Sequence, residues 1–214
     1  MTGTRSTGVR CRLLGAAVAV AGLLAATGCE QRADTAEPVA EPAVPATPAA
    51  MRLDKPKLLL DRWAESANRN LHAPAQHRLG EFKKLLAGEP TSAVGTAYVT
   101  AEEAYSPELG VHLPDGGGVV LVSGVSGTVG EPEAVLDAVF AGLPAVAGVA
   151  PTAPGPLGGV ARCGTGRSRG VHAVVCAWAD DHTVATVTFL GFPATGNRAE
   201  DFRRIRSQLE HPAR

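Results

Sequence analysis

One stretch, Val160–Phe192, constrains the fold more than any other part of the chain, because it combines three apolar runs, two polar turns and two cysteines. Its first turn, TGRSRG, is rich in Gly and Ser, and its second is the short polar break Asp180-Asp181-His182. Apolar runs of high β-propensity between such turns are typical of consecutive antiparallel strands. The stretch therefore predicts a three-stranded antiparallel meander.

The two turns also predict the register of this meander. A first loop centred on residues 169–170 places Cys163 directly opposite Cys176. A two-residue second turn places Cys176 opposite Val187. Side chains alternate across a strand, so one face collects the bulky apolar residues Val174, Cys176, Trp178, Ala185, Val187 and Phe189. A slip of one residue would invert both faces.

The N-terminus has the composition of a bacterial export signal. Three arginines precede an uncharged apolar run from Leu13 to Thr27, which is shorter than the about 20 residues that span a bilayer comfortably. The run ends in LAATGC, which resembles a lipobox with Ala26 where leucine is usual. We predict a signal peptide over residues 1–28 and acylation (palmitate) of Cys29. Ordinary secretory cleavage nearby, or an uncleaved anchor, are the alternatives.

Composition divides the rest of the chain into a linker and one domain. Residues 29–52 are rich in Pro, Ala and Glu, a composition that cannot build a core and favours extended conformations. Residues 53–214 are expected to form a single α+β domain, in which an antiparallel sheet containing the meander packs with amphipathic helices. The expected helices are Lys57–Leu71, Ala75–Ala87, Pro132–Phe140 and Arg198–Leu209. The other expected strands are Ala93–Val99 and Ala145–Ala150, with a hairpin of Val111–Leu113 and Val119–Val125.

The four cysteines support export to an oxidising compartment. Cys11 lies in the signal peptide and Cys29 receives the lipid, which leaves Cys163 and Cys176 as an even pair. A zinc site would need two more ligands, and the neighbouring histidines match no familiar spacing. We therefore predict a disulfide, with Cα atoms about 5.5 Å apart, and neither a metal nor a cofactor.

The charge balance excludes a nucleic-acid partner. Loss of the signal peptide removes three arginines, which takes the basic residues from 20 to 17 against 21 acidic residues, a net charge of −4. Such a chain lacks the positive surface that binds phosphate backbones.

The most concentrated polar group is Asp180-Asp181-His182. An Asp–His pair can perform acid–base chemistry, but the nearest nucleophile candidates, Ser123 and Ser126, have no sequence relation to it. The sequence around Ser126, GVSGT, departs from a nucleophile elbow at its last position. Turn chemistry accounts for two aspartates between strands. We therefore assign no catalytic residue.

The order PGPLGG-x-x-x-C-G, then C-x-W-A-D before a strand, and a final F-R-x-I-R helix resembles secreted or lipid-anchored actinobacterial proteins of uncharacterised activity. The similarity covers roughly Ala97–Gln208. It implies an exported, disulfide-containing domain and no particular activity. We expect a lipid-anchored domain on the extracytoplasmic face of the cell membrane that binds a partner, such as an envelope protein, or contributes structurally. The alternative is an envelope hydrolase that uses Asp180 and His182.

Overall fold

The computed structural model describes residues 50–99, 103–106, 111–114, 118–193 and 197–213. The predicted signal peptide, the lipidation site Cys29 and the linker as far as residue 49 lie outside the described residues. The strands are β1 (Met51–Leu53), β2 (Leu58–Leu59), β3 (Trp63–Glu65), β4 (Ser92–Val99), β5 (Glu103–Ser106), β6 (Val111–Pro114), β7 (Val119–Ser126), β8 (Val146–Pro151), β9 (Val160–Ser168), β10 (Val171–Ala179), β11 (Thr183–Leu190) and β12 (Glu210–Pro212). The helices are α1 (Arg69–Lys83), α2 (Pro132–Ala141) and α3 (Arg198–Leu209).

One large sheet dominates the fold. Eight strands form it in the order β2-β3-β4-β7-β11-β10-β9-β8, and every pair is antiparallel. Two-stranded sheets, β1-β12 and β5-β6, complete the described strands. The part of the chain that the structure describes is mostly β, with 43% strand and 26% helix, so the α+β expectation is wrong. Met51 and Arg52, assigned above to the linker, already belong to β1.

The helix expected over Lys57–Leu71 is replaced by a tight hairpin. Leu59 pairs with Trp63 across a turn in which Leu60 and Asp61 have φ angles of 51° and 57°. This left-handed conformation ends any right-handed helix. Leu59 and Trp63 are four residues apart, a spacing that also places side chains on one face of a helix. Here the two residues instead lie opposite each other on paired strands. Leu59 and Trp63 are both buried.

Helix α1 differs from the two helices expected over Lys57–Leu71 and Ala75–Ala87, because it is one helix that runs through Pro74 and ends at Lys83. The helix starts after Asn68, whose side chain accepts a hydrogen bond from the Asn70 N–H, and it continues through Pro74. Proline lacks one backbone hydrogen bond, and burial of the apolar face against β4 and β7 compensates for it. Contact is close at Gly95, where a Cβ would lie 2.9 Å from Leu79 Cδ1.

Several elements whose ends are marked by capping or turn residues lie where the sequence predicts them. Helices α2 and α3 occupy the expected residues, and Asn197 caps α3 by accepting from the Glu200 N–H at 3.1 Å. Strands β4 and β8 are also confirmed. The hairpin expected between Val111–Leu113 and Val119–Val125 is wrong, because β6 pairs with β5 and β7 lies between β4 and β11.

The predicted meander and its register are confirmed. Cys176 pairs with Cys163 on one side and with Val187 on the other, and the disulfide is present. Arg169 and Gly170 have φ angles of 47° and 87°, as a two-residue hairpin turn of the favoured twist requires. The Cα atoms of the cysteines are 4.0 Å apart, closer than the expected 5.5 Å. The pair lies at a non-hydrogen-bonded position counted from the turn, where antiparallel Cα atoms approach to about 4.5 Å.

The two faces of the large sheet bury different side chains. The face that carries Trp178 and Phe189 packs against α3 and the β1-β12 sheet through bulky residues. The opposite face is smaller in β10, where Ala177 and Ala179 leave room for the apolar side of α2. Side chains alternate along each strand, so the bulky and the small residues lie on opposite faces of the sheet, and each face packs against a different helix.

Strand β8 forms one edge of the sheet, and it is irregular. Its register against β9 shifts between Ala147 and Ala150, and Gly148 adopts a φ of 61°. The strand is exposed for most of its length and ends at Pro151, which has no N–H to offer a further strand.

Loss of the disulfide should lower stability measurably. The cross-link joins residues 13 apart in sequence, and a loop of this size stabilises a fold by about 3 kcal/mol on the chain-entropy model. We expect the double substitution Cys163→Ala/Cys176→Ala to lower the free energy of unfolding by about that amount in urea titrations. Reductant should destabilise the wild type and leave the double variant unchanged; equal stability of oxidised and reduced wild type would contradict this.

Candidate functional site

Asp180, the strongest candidate for chemistry in the sequence, organises the turn between β10 and β11. Its Oδ1 accepts hydrogen bonds from the backbone N–H groups of His182 at 2.8 Å and Thr183 at 2.9 Å. Aspartate favours this arrangement because its short side chain reaches the backbone two residues ahead. One oxygen of the carboxylate is therefore committed to the turn.

The other oxygen of Asp180 binds a buried arginine. Arg206 of α3 is 1% exposed, and its Nη2 donates to Asp180 Oδ2 at 2.7 Å. Its Nε donates to Glu210 Oε2 at 2.8 Å, and its Nη1 donates to the carbonyls of Gly158 at 2.6 Å and Pro154 at 3.2 Å. A buried guanidinium is tolerated only when its donors are satisfied, and here both carboxylates and backbone carbonyls do so.

A threonine and a tryptophan complete this group, which we call the Arg206 network: Trp178, Asp180, Thr183, Arg206 and Glu210. Thr183 Oγ1 lies 2.7 Å from Asp180 Oδ2 and 3.2 Å from Glu210 Oε1, and it accepts from Trp178 Nε1 at 3.0 Å. The guanidinium carbon of Arg206 lies 5.5 Å from the centroid of the Trp178 ring. The network thus joins α3, the β10–β11 turn and the loop before β9.

Burial shapes the ionisation of the network. Burial raises the pKa of Glu210 above its ordinary value, Arg206 opposes this shift, and the neighbouring Asp180 adds to it. Thr183 has one hydroxyl proton, and the shorter of its two carboxylate contacts is to Asp180. A protonated Glu210 can donate to Thr183 Oγ1 and still accept from Arg206, so the neutral form keeps its hydrogen bonds.

The Asp–His pair considered in the sequence does not form between side chains. Asp180 contacts His182 through the backbone N–H, and His182 Nε2 is buried without a hydrogen-bond partner among the described residues. Asp181 is exposed, and its carbonyl accepts from the Val129 N–H at 3.0 Å. The three polar residues therefore act in three different environments.

Ser123 and Ser126 are unavailable as nucleophiles. They are 2% and 0% exposed and lie on opposite faces of β7, because they are three residues apart in a strand. Ser123 Oγ donates to the Ala75 carbonyl at 3.1 Å, and Ser126 Oγ shares hydrogen bonds with Thr91 at 2.8 Å and Ser92 at 2.6 Å. Both hydroxyls hold neighbouring elements in place.

A second polar cluster was missed in the sequence. Glu65 Oε1 accepts from Lys55 Nζ at 2.7 Å and from Thr96 Oγ1 at 2.8 Å, and Thr96 Oγ1 lies 3.3 Å from His72 Nδ1. Burial raises the pKa of Glu65, but the hydrogen bonds from Lys55 and Thr96 outweigh it, so this pKa lies below its usual range. Thr96 is 1% exposed and offers no accessible nucleophile. The sequence feature that could have indicated this cluster is Thr96, a polar residue among the apolar residues of β4.

Among the described residues, the large sheet is adjoined by a cleft at one edge and by a cavity under α1. An open cleft of about 590 Å³ lies between α2 and the β8–β9 edge, where Arg162 binds Glu133 and Asp137 at 2.5 Å each. A smaller cavity of about 190 Å³ lies under α1 and contains Arg78 and Arg167. The first cavity is lined by two acids and one base, all ion-paired, which leaves it a net negative charge. The ionisable residues that line the second cavity are both basic.

The part of the chain that the structure describes contains no group of three or more His, Cys, Asp or Glu side chains that could hold a metal. Nor do its helices include one that is long and apolar enough to cross a membrane. Comparison of the chain with protein-family models, with curated proteins and with solved structures finds no match. The site must therefore be interpreted from its own geometry.

Removal of the Arg206 guanidinium should be strongly destabilising. Arg206→Met keeps an apolar stem beside Trp178 but leaves Asp180 and Glu210 without their cation, and breaking a buried pair from one side costs about 3–5 kcal/mol. We expect that loss in the free energy of unfolding from urea titrations. Arg204→Met is the matched control, because Arg204 is exposed on the same helix; it should change stability by about 0.5 kcal/mol or less. Equal effects of the two substitutions would contradict a structural role for the network.

Glu210 should contribute a pH dependence of definite sign. Its raised pKa means that the folded state binds the proton more tightly than the unfolded chain, so ionisation disfavours the fold. The free energy of unfolding of the wild type, relative to Glu210→Gln, should therefore fall as pH rises from about 4.5 through the raised pKa. Urea titrations between pH 4 and pH 8 measure this difference. Glu200→Gln, a substitution of an exposed acid on α3, should leave the wild-type slope intact; a rising difference would show the opposite sign.

Proposed function

We propose that this protein is a non-catalytic binding domain, held on the extracytoplasmic face of the cell membrane by a lipid on Cys29. The observation that carries the proposal is the commitment of Asp180, whose two oxygens accept hydrogen bonds from backbone, threonine and arginine donors. A general base needs a free lone pair within reach of a substrate proton. Asp180 offers none that is not already used by the fold.

The distribution of the remaining polar groups also favours a binding role. Catalysis requires converging titratable groups near an accessible nucleophile. The hydroxyls of Thr96, Ser123 and Ser126 are buried, and each hydrogen-bonds within the fold. Ligand binding needs only a cavity with a few placed polar groups, which the space under α1 supplies.

Two features support the proposed location. The sequence LAATGC at the end of the apolar N-terminal run has the small residues that precede an acylated cysteine. The Cys163–Cys176 disulfide is typical of proteins that mature outside the reducing cytosol. A lipid at Cys29 and the Pro-rich segment after it would tether the domain at a distance from the bilayer.

The absence of catalysis is testable with two substitutions. We expect the purified mature chain to hydrolyse no ester, phosphate, peptide or glycan substrate, and Asp180→Asn and His182→Ala to abolish no turnover. From the sequence alone we would expect either substitution to change stability slightly, but the contact with Arg206 revises this for Asp180. Asp180→Asn places an amide where Oδ2 accepts from Arg206, and loss of a hydrogen bond to a charged group costs about 1.5–3 kcal/mol. A reproducible turnover lost in either variant would favour the hydrolase.

The lipid anchor is tested by fractionation of cells. Cys29→Ala should release the protein from the membrane fraction or leave its signal peptide uncleaved, as followed by immunoblot and by mass spectrometry of the N-terminus. Cys11→Ala, a cysteine substitution within the predicted signal peptide, is the control and should leave processing unchanged. A mature N-terminus that begins elsewhere, without acylation, would contradict the proposal.

A further inference from the structure

The cavity under α1 has an apolar floor and a basic rim. Its floor is the small face of the large sheet, where Leu121, Val175 and Leu190 point toward α1. Leu143 and Val146, which follow α2, form one wall. The volume of about 190 Å³ corresponds to about six waters at ~30 Å³ each. This space fits a short alkyl chain and is too small for a whole membrane lipid.

Arg78 lines this cavity without a partner. It lies on α1, is half-buried, and makes no ion pair or side-chain hydrogen bond among the described residues. Burial lowers its pKa, and no neighbouring acid offsets this. Arg162 in the other cavity lies instead between two carboxylates. A half-buried guanidinium loses part of its hydration and here has no protein acceptor in return, so a carboxylate that enters the cavity gains a partner already in place.

The second basic residue extends the positive rim. Arg167 is exposed in β9 and donates to the Gly170 carbonyl, which holds its side chain close to the hairpin. Arg78 and Arg167 are the two ionisable residues among those that line the cavity. The hydroxyl groups of Ser123, Ser168 and Thr188 add neutral polar atoms. The rim therefore favours negative charge above an apolar space.

We propose that the cavity binds an amphiphilic monocarboxylate, with the carboxylate on the Arg78 guanidinium and an alkyl chain of about six to eight carbons against Leu121, Val175 and Leu190. Arginine suits this role because its planar group forms two parallel hydrogen bonds with a carboxylate. The inference rests on the proposed binding function and identifies its ligand class.

Three probes separate the contributions of charge and chain. Octanoate supplies both, 1-octanol supplies the chain without the charge, and acetate supplies the charge without the chain. The mature chain from residue 29, carrying Cys29→Ser so that no lipid is attached, is titrated with each probe by ¹H–¹⁵N NMR. We expect octanoate to shift the amide signals of residues that line the cavity, 1-octanol to bind at least tenfold more weakly, and acetate to produce no saturable shift.

Two substitutions test the assigned contacts. Arg78→Gln should weaken octanoate binding about tenfold or more while leaving 1-octanol binding unchanged, because it removes the charge and keeps most of the volume. Arg69→Gln, on the same helix but exposed, is the matched control and should bind as the wild type does. Val175→Phe should block all chain binding by filling the cavity. If Val175→Phe fails to fold, Arg78→Gln alone decides.

Each failure overturns a different statement. Equal binding of octanoate and 1-octanol, or unchanged octanoate binding by Arg78→Gln, would overturn the carboxylate contact and leave a binding domain for neutral apolar ligands. No saturable shift with octanoate in the wild type would overturn the ligand class. Neither result bears on hydrolysis. The hydrolysis assays described above test the non-catalytic function separately.

Discussion

The burial of one guanidinium is the constraint on which most of this structure depends. Arg206 is buried on a helix whose other buried residues are the apolar Phe202, Ile205 and Leu209. The chain must therefore place hydrogen-bond acceptors around the guanidinium, in a region that otherwise contains apolar side chains. Those acceptors come from the β10–β11 turn, from the end of α3 and from the loop before β9. Segments distant in sequence therefore have to converge before the charge is satisfied, and the arrangement favours one packing of α3 over others.

The same requirement explains why the most polar cluster of the sequence has a structural role. Asp180 was considered for catalysis because an aspartate beside a histidine can exchange protons. In the fold its carboxylate fixes a turn with one oxygen and balances a buried cation with the other. Among the described residues, Arg78 instead lines a cavity on the other face of the sheet and has no protein acceptor for its guanidinium.

The meander could be predicted from sequence because all its determinants are local. Turn residues, alternation and two cysteines lie within one stretch, and each fixes the same register. The hairpin at Leu59 and Trp63 could not be predicted in this way. The spacing of its apolar residues also suits a helix, and the formation of strands here depends on pairing with β4. The Arg206 network was missed although a signal existed: Arg206 falls on the buried stripe of α3, four residues after Phe202. A charge in that position requires a buried partner.

The irregular edge strand β8 has a consequence for the concentration at which the protein stays unassociated. Copies at high concentration meet often, and a regular exposed strand would let them join their sheets. The register shift at Ala147, the left-handed Gly148 and the terminal Pro151 interrupt the row of hydrogen-bonding groups that such joining needs. Concentrated copies can thus remain separate at this edge of the sheet.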